Sequence, residues 1–189
     1  MVKNLEQTAQ LTENIIQDEV LITVVHHMRR NLMFDQCVAL LKQRGVEKTD
    51  IIDCVYYLQK RYIADLTLDR IEHYVDSVLS KREVQHAVIT GIQIDILTEQ
   101  GVFADQRFNQ LIMDDYSLYG VDEVLAYGIC NLYGSIALTN FGYIDKVKPG
   151  IIGKLNEHTT QCNTFLDDIV GAIAASAASK LAHDREKKA

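Results

Sequence analysis

The chain has 189 residues, of which 48 % are apolar and 24 % charged, and its formal net charge is −7. That balance excludes a disordered chain and fits a single folded domain with a real core. It also argues against a duplex nucleic-acid binder, because the basic clusters, Arg29-Arg30 and the tail Arg185-Glu186-Lys187-Lys188, are too short to follow a phosphate backbone.

Pro149 is the single proline, so little in the chain interrupts helices. Cys37, Cys54, Cys130 and Cys162 include no C-x-x-C pair. Structural thiols in a reduced, cytoplasmic setting are therefore expected.

Read in chain order, the first 45 residues form a candidate N-terminal helical extension. Val20, Val24, Met28 and Leu32 recur every four residues, and Val38 and Leu41 lie three apart. Gly45 is read as a stop, and Thr49 as the cap of a new helix carrying Ile52, Val55 and Leu58. Leu68, Ile71, Val75 and Leu79 predict a third helix. Val84, Val88, Ile92 and Ile96 predict a fourth, ended by Gly101, and "DQRFNQLIMDD" predicts a short fifth. Tyr56, Tyr57, Tyr62, Tyr116, Tyr119, Tyr127 and Tyr133 are expected to pack as amphipathic core residues.

After Gly120 the texture changes. From Val124 to Ile144 there are 21 residues without a charge. The length reaches that of a bilayer span, but Asn131, Ser135, Thr139, Asn140 and three glycines weaken the apolar content. A helix buried on all sides, ending near Gly142, is the preferred reading. A second uncharged run of 11 residues extends from Ile169 to Ser179, with small side chains that admit a close neighbour. The expected architecture is all-α. It is one multihelical domain over 1–189, with two nearly uncharged central helices surrounded by amphipathic ones and a candidate catalytic core over 120–182.

Each uncharged run opens on two acids, Asp122-Glu123 and Asp167-Asp168. Acids in a first turn favour the helix dipole, and Thr164 to Asp167 has capping-box spacing. Capping accounts for either pair alone. Taken together, carboxylates converging from two packed helices resist burial and need protons or a cation to neutralise them. Mg²⁺ prefers oxygen ligands and needs few protein carboxylates. Between the pairs, Asp145 and Lys148 share a helical face, and Pro149 pushes Lys148 out of helical geometry. They form either a surface ion pair or part of a phosphate contact.

Glu83-Val84-Gln85-His86 is half of a di-iron motif without its second half, so His86 is read as an ordinary histidine. His26-His27 could bind metal, but neighbours on a helix point in different directions, and His183-Asp184 is read as a solvated face. No Gly-rich phosphate loop of the G-x-x-x-x-G-K-[ST] or G-x-G-x-x-G type is present.

The blocks "VDEVLAYGICNLYGSIAL", "YIDKVKPGIIGKLNE" and "TFLDDIVGAIAAS" resemble, in order and spacing, those of the phosphatidylglycerophosphatase A family. The whole chain is similar to a branch of that family, the low temperature requirement C-like proteins. The resemblance implies a Mg²⁺-dependent phosphatase that converts phosphatidylglycerophosphate to phosphatidylglycerol. It implies Asp122, Glu123, Asp167 and Asp168 as metal ligands, Asp145 as a further ligand or water-orienting base, and Lys148 as a phosphate contact. The chain lacks the strongly apolar spans and the N-terminal Gly/Pro/Ser-rich motif of the integral membrane members. Gly142 stands where an Arg often precedes the Asp. The implied substrate is thus a phosphate ester, lipid or soluble, met in the cytoplasm or at the membrane periphery. A homo-oligomer is expected, with no nucleic-acid partner. Two other readings stay open here: a non-catalytic helical interaction or cold-adaptation protein on the same scaffold, and an all-helical nucleotide pyrophosphohydrolase.

Overall fold

A computed structural model describes residues 32–157 and 161–186, and among them are nine α-helices and no strand. The helices are α1 (32–43), α2 (Lys48–Gln59), α3 (Leu68–Leu79), α4 (Arg82–Glu99), α5 (Gln106–Met113), α6 (Val121–Asn131), α7 (Ser135–Val147), α8 (Ile151–Leu155) and α9 (Leu166–Glu186). His26-His27, Arg29-Arg30 and most of the N-terminal extension lie outside the described residues.

Local chemistry sets most of the helix ends. Gly45, at φ +81°, closes α1: its N–H meets Lys42 O at 3.0 Å, and the Val46 N–H meets Leu41 O at 2.9 Å. That is the two-bond closure a left-handed glycine permits. Helix α2 starts earlier than expected. Glu47 is its cap and donates its N–H to Asp50 Oδ2 at 2.8 Å, so Thr49 already lies inside the helix. Thr67 caps α3 by accepting the Arg70 N–H, and Asp105 caps α5 by accepting the Arg107 N–H. Gly101 ends α4 as expected, at φ +63°.

The uncharged run from Val124 to Ile144 is two helices rather than one. Gly134, at φ +82° and ψ −169°, breaks it between α6 and α7, in a conformation closed to L side chains. Gly142, read as an end, lies inside α7. A helical glycine costs only about 1 kcal/mol against Ala, and burial of Ala137, Phe141 and Ile144 keeps α7 intact. Neither helix is buried all round: Val124, Tyr127, Leu132 and Tyr143 are exposed. Tyr56, Tyr62 and Tyr116 are exposed as well, against the expectation of core packing.

Helix α9 is the one buried on every side, from Leu166 through Ser179. It packs against α2, α3, α4, α6, α7 and α8. Small residues make this possible. A Cβ at Gly91 of α4 would sit 2.3 Å from Ile169 Cδ1, and one at Gly171 would sit 3.4 Å from Phe141 Cε2 of α7. The four cysteines are free and buried.

Candidate metal centre

Helix α9 begins inside the protein, so its first N–H groups need partners from elsewhere. Thr164, expected as the cap, instead donates its hydroxyl to Ile112 O at 2.6 Å. The cap is Asp95, four-fifths of the way along α4. Its Oδ1 accepts the Phe165 N–H at 3.1 Å and its Oδ2 the Leu166 N–H at 3.0 Å. Burial pushes this carboxyl up to about 7, against the pull of those two N–H groups and of Arg44.

Behind this cap lies a buried polar clamp. Arg44 makes a two-pronged pair with Glu99, at 2.6 and 3.0 Å, and also donates to Cys162 O at 2.7 Å. Glu99 in turn accepts the Cys162 N–H at 2.8 Å. Asn163 donates to Leu155 O at 3.0 Å. The Cys162 thiol, pushed up to about 12 by burial and then by Asp95, is held as a thiol.

The acids carried on this frame divide into two groups. Asp167 accepts from Lys148 Nζ at 2.9 Å, and Lys148 also donates to Asp145 at 2.9 Å. Lys148 caps α7 at φ +46° and ψ +57°. The proline after it does move it out of the right-handed helix, but into the left-handed region rather than an extended one. Burial lowers the Lys148 ammonium, and the charges and hydrogen bonds of Asp167 and Asp145 outweigh this, holding it above its ordinary value. Burial pushes the Asp167 carboxyl up, and Lys148 pulls it back. The other oxygen of Asp167 accepts the Asp168 N–H at 2.9 Å.

Asp122, Glu123 and Asp168 form the second group. Each offers a carboxylate oxygen, and the three oxygens lie within 4.8 Å of one another. Asp122 Oδ1 and Glu123 Oε2 are buried and have no hydrogen-bond partner in the protein. Burial, then the neighbouring Glu123 carboxylate, push the Asp122 carboxyl up to about 7. Burial, then the charges of Asp167, Asp145 and Asp122, push Asp168 up to about 9. Without a cation the cluster therefore holds protons. An all-oxygen donor set with unpartnered buried oxygens fits a hard divalent ion such as Mg²⁺.

Of the six residues singled out from the sequence, Asp122, Glu123 and Asp168 come together, and Asp145, Lys148 and Asp167 form an adjoining ion-pair network. Asp115, at φ +45°, is close enough to raise both Asp122 and Asp167 by its charge. Sequence reading missed it, and it missed Asp95 too. Its one signal there was that Asp95 is the lone acid in the uncharged stretch from Ala87 to Thr98. Glu83 and His86 are exposed, and His183 lies on the exposed end of α9. A cavity of about 390 Å³ lies beside the Pro149 turn, lined by Asp53, Tyr56, Lys60 and Lys154 among others, and includes none of the clustered acids.

Residues 38–183 match the phosphatidylglycerophosphatase A family. The uncharacterized protein YutG of Bacillus subtilis (strain 168) is 53 % identical over 161 residues, 82 % of this chain and 96 % of that protein. The crystal structure of the low temperature requirement C protein from Listeria monocytogenes, 54 % identical, superposes with a TM-score of 0.79 over 82 % of this chain and 97 % of that one. That of protein ypjQ from Bacillus subtilis, 45 % identical, superposes with a TM-score of 0.81 over 85 % and 99 %.

Proposed function

The chain belongs to the phosphatidylglycerophosphatase A family, and from that premise we propose that it is a Mg²⁺-dependent phosphatase of phosphate monoesters, with phosphatidylglycerophosphate as its substrate. The observation that carries this reading is the pair of buried, unpartnered oxygens on Asp122 and Glu123, facing Asp168. Unmet acceptors of this kind cost stability unless a ligand satisfies them.

In this reading Asp122, Glu123 and Asp168 hold the ion. A bound Mg²⁺ supplies charge neutralisation for the phosphoryl oxygens and a more acidic water. The residues beside it do the rest. Lys148 spends two of its three N–H donors on Asp145 and Asp167, which leaves one for a phosphate oxygen. Asp167 is buried and fixes the ammonium, while Asp145 is more than one-third exposed and is placed to orient an attacking water. The lysine charge is thus set before substrate arrives, so little reorganisation accompanies the reaction.

The reading extends to the surroundings of the site. No helix among the described residues is long and apolar enough to cross a membrane, so a lipid substrate would be met at the membrane periphery. Four free, buried thiols suit a cytoplasmic location. The uncharged exposed side chains Val124, Tyr127, Leu132 and Tyr143 suit a homo-oligomer, which sedimentation velocity would test.

The functional test is phosphate release from phosphatidylglycerophosphate in mixed vesicles and from soluble monoesters, with Mg²⁺ and with chelator. Metal-dependent release from the lipid is the expected result. Folded protein that releases phosphate from none of them would overturn the reading, and release from soluble esters alone would move the substrate away from lipid.

A further inference from the structure

We propose that Asp95 is the positioning residue of the metal centre: acting from α4, it sets the rotation and axial position of the α9 turn that presents Asp168. This rests on the reading of Asp122, Glu123 and Asp168 as an ion site.

No side chain of its own segment meets the first two N–H groups of α9, those of Phe165 and Leu166. Of the local candidates, Asn163 accepts from Arg44 through Oδ1 and donates to Leu155 O, and the Thr164 hydroxyl is turned to Ile112 O. Two adjacent N–H groups, those of Phe165 and Leu166, are instead met by the two oxygens of one carboxylate. Only an acid supplies two acceptors there. An Asn would turn an NH₂ donor towards one of the N–H groups.

A second device lies one turn earlier on the same helix. Gly91 and Asp95 are four residues apart, so they share a face of α4. That face meets Phe165 and Ile169, the residues flanking the acids, and a Cβ at Gly91 would displace the Ile169 Cδ1 methyl and press on Phe165 Cβ at 3.0 Å. Asp95 grips the backbone of the turn, and Gly91 sets how closely α4 lies against it. The opposing carboxylates Asp122 and Glu123 come from a different element, α6, which packs against both α4 and α9. The backbone grip of Asp95 on the first turn of α9 thus helps to set how Asp168 meets them. Asp95 is fully buried, and its oxygens meet the Phe165 and Leu166 N–H groups and the Cys162 thiol, so it acts on the ion through the start of α9.

Substitutions of residues that orient metal ligands lower affinity by about 10–100-fold. We expect Asp95→Asn to weaken Mn²⁺ binding, read by calorimetry on the metal-free protein, by about 10-fold or more. Amide exchange should speed up at Phe165 to Ile169. The control is Val78→Ala in α3, a helix that meets the far end of α9 through the Lys180–Ser77 hydrogen bond. At a similar loss of thermal stability, Val78→Ala should leave affinity within about 2-fold of wild type, well inside the range for orienting partners. Gly91→Ala, which leaves the carboxylate in place, should weaken binding in the same direction and covers the case of an unfolded Asp95 variant. Equal affinities for Asp95→Asn and Val78→Ala at equal stability would overturn the proposal and leave the ion site standing. Absence of Mn²⁺ binding by the wild-type protein would overturn the ion site and this proposal with it.

Discussion

Lys148 Nζ lies 2.9 Å from Asp167 Oδ2, and it reaches there from a backbone held at φ +46° immediately before Pro149. A non-glycine residue in that conformation costs about 1–2 kcal/mol. The ion pairs with Asp167 and Asp145 offset the strain, and the strained turn fixes where the ammonium sits. Such strain is common where a side chain must be held ready.

Replacing Lys148 separates these two effects. Lys148→Ala leaves the buried Asp167 unpaired and keeps the strain. A destabilisation of about 2 kcal/mol is expected, below the ~3–5 of a fully buried pair because the lysine is partly exposed. Lys148→Gly loses the same pair but relaxes the backbone, and should be more stable than Lys148→Ala by about 1 kcal/mol. Urea denaturation of the two variants checks the difference. Equal stabilities would mean that the turn is unstrained.

Asp168→Asn should move stability and metal binding in opposite directions. The variant removes one of the three carboxylates proposed to hold the ion, so Mg²⁺ affinity should fall by about 10-fold or more. It also removes a carboxylate whose charge is disfavoured by burial and by three neighbouring acids. The melting temperature in chelator should therefore hold or rise. A fall in chelator would show that Asp168 makes stabilising contacts of its own.

The same carboxyls set a pH dependence. Asp122 and Asp168 are raised from 3.8 to about 7 and about 9. Between about 4 and 9 the folded protein thus holds protons that the unfolded chain has released. Their contribution to stability is complete below the unfolded value and is lost as pH rises through 7 and then 9. Without divalent ion, thermal stability should fall from pH 6 to 9. Added Mg²⁺ should stabilise more at pH 8.5 than at pH 6, because the ion competes with fewer protons. Calorimetric melts at the two pH values, with and without Mg²⁺, measure both slopes.

Two glycines of one uncharged run should respond with opposite signs. Gly142→Ala lies on an exposed helix face with open space around the new Cβ and should stabilise by about 1 kcal/mol. Gly134→Ala forces an L residue to φ +82° and should destabilise by about 1–3 kcal/mol. Thermal melts of the two variants decide it.

These glycines also show what could be read from the amino-acid order. Both interrupt the same apolar pattern, and nothing local tells which one ends a helix. That depends on φ, which packing against α9 decides. The uncharged character of α9 and the acids at its start were legible, because burial and charge leave their mark within a few residues. The cap of α9 was not. Thr164 has the right spacing for the task, but its hydroxyl finds Ile112 O, and the cap comes from Asp95, 70 residues upstream. Spacing rules describe what a residue offers its neighbours, and they are blind to a carboxylate delivered by another helix. The division of the acids was hidden for the same reason: Asp167 and Asp168 are adjacent, yet one faces Lys148 and the other α6.

The helix at the centre of the fold is also the last in the described chain, and this bears on how the protein is made. As the chain leaves the ribosome, α2, α3, α4, α6, α7 and α8 emerge before the surface they will share. Their apolar faces must wait, exposed, until α9 arrives. Asp168 arrives with that segment, so a nascent chain holds Asp122 and Glu123 without their third member. Assembly of the acidic cluster and completion of the core are then a single late event. A chain stalled or clipped before Leu166 would lose both at once, and would present chaperones and proteases with the unfilled socket of α9.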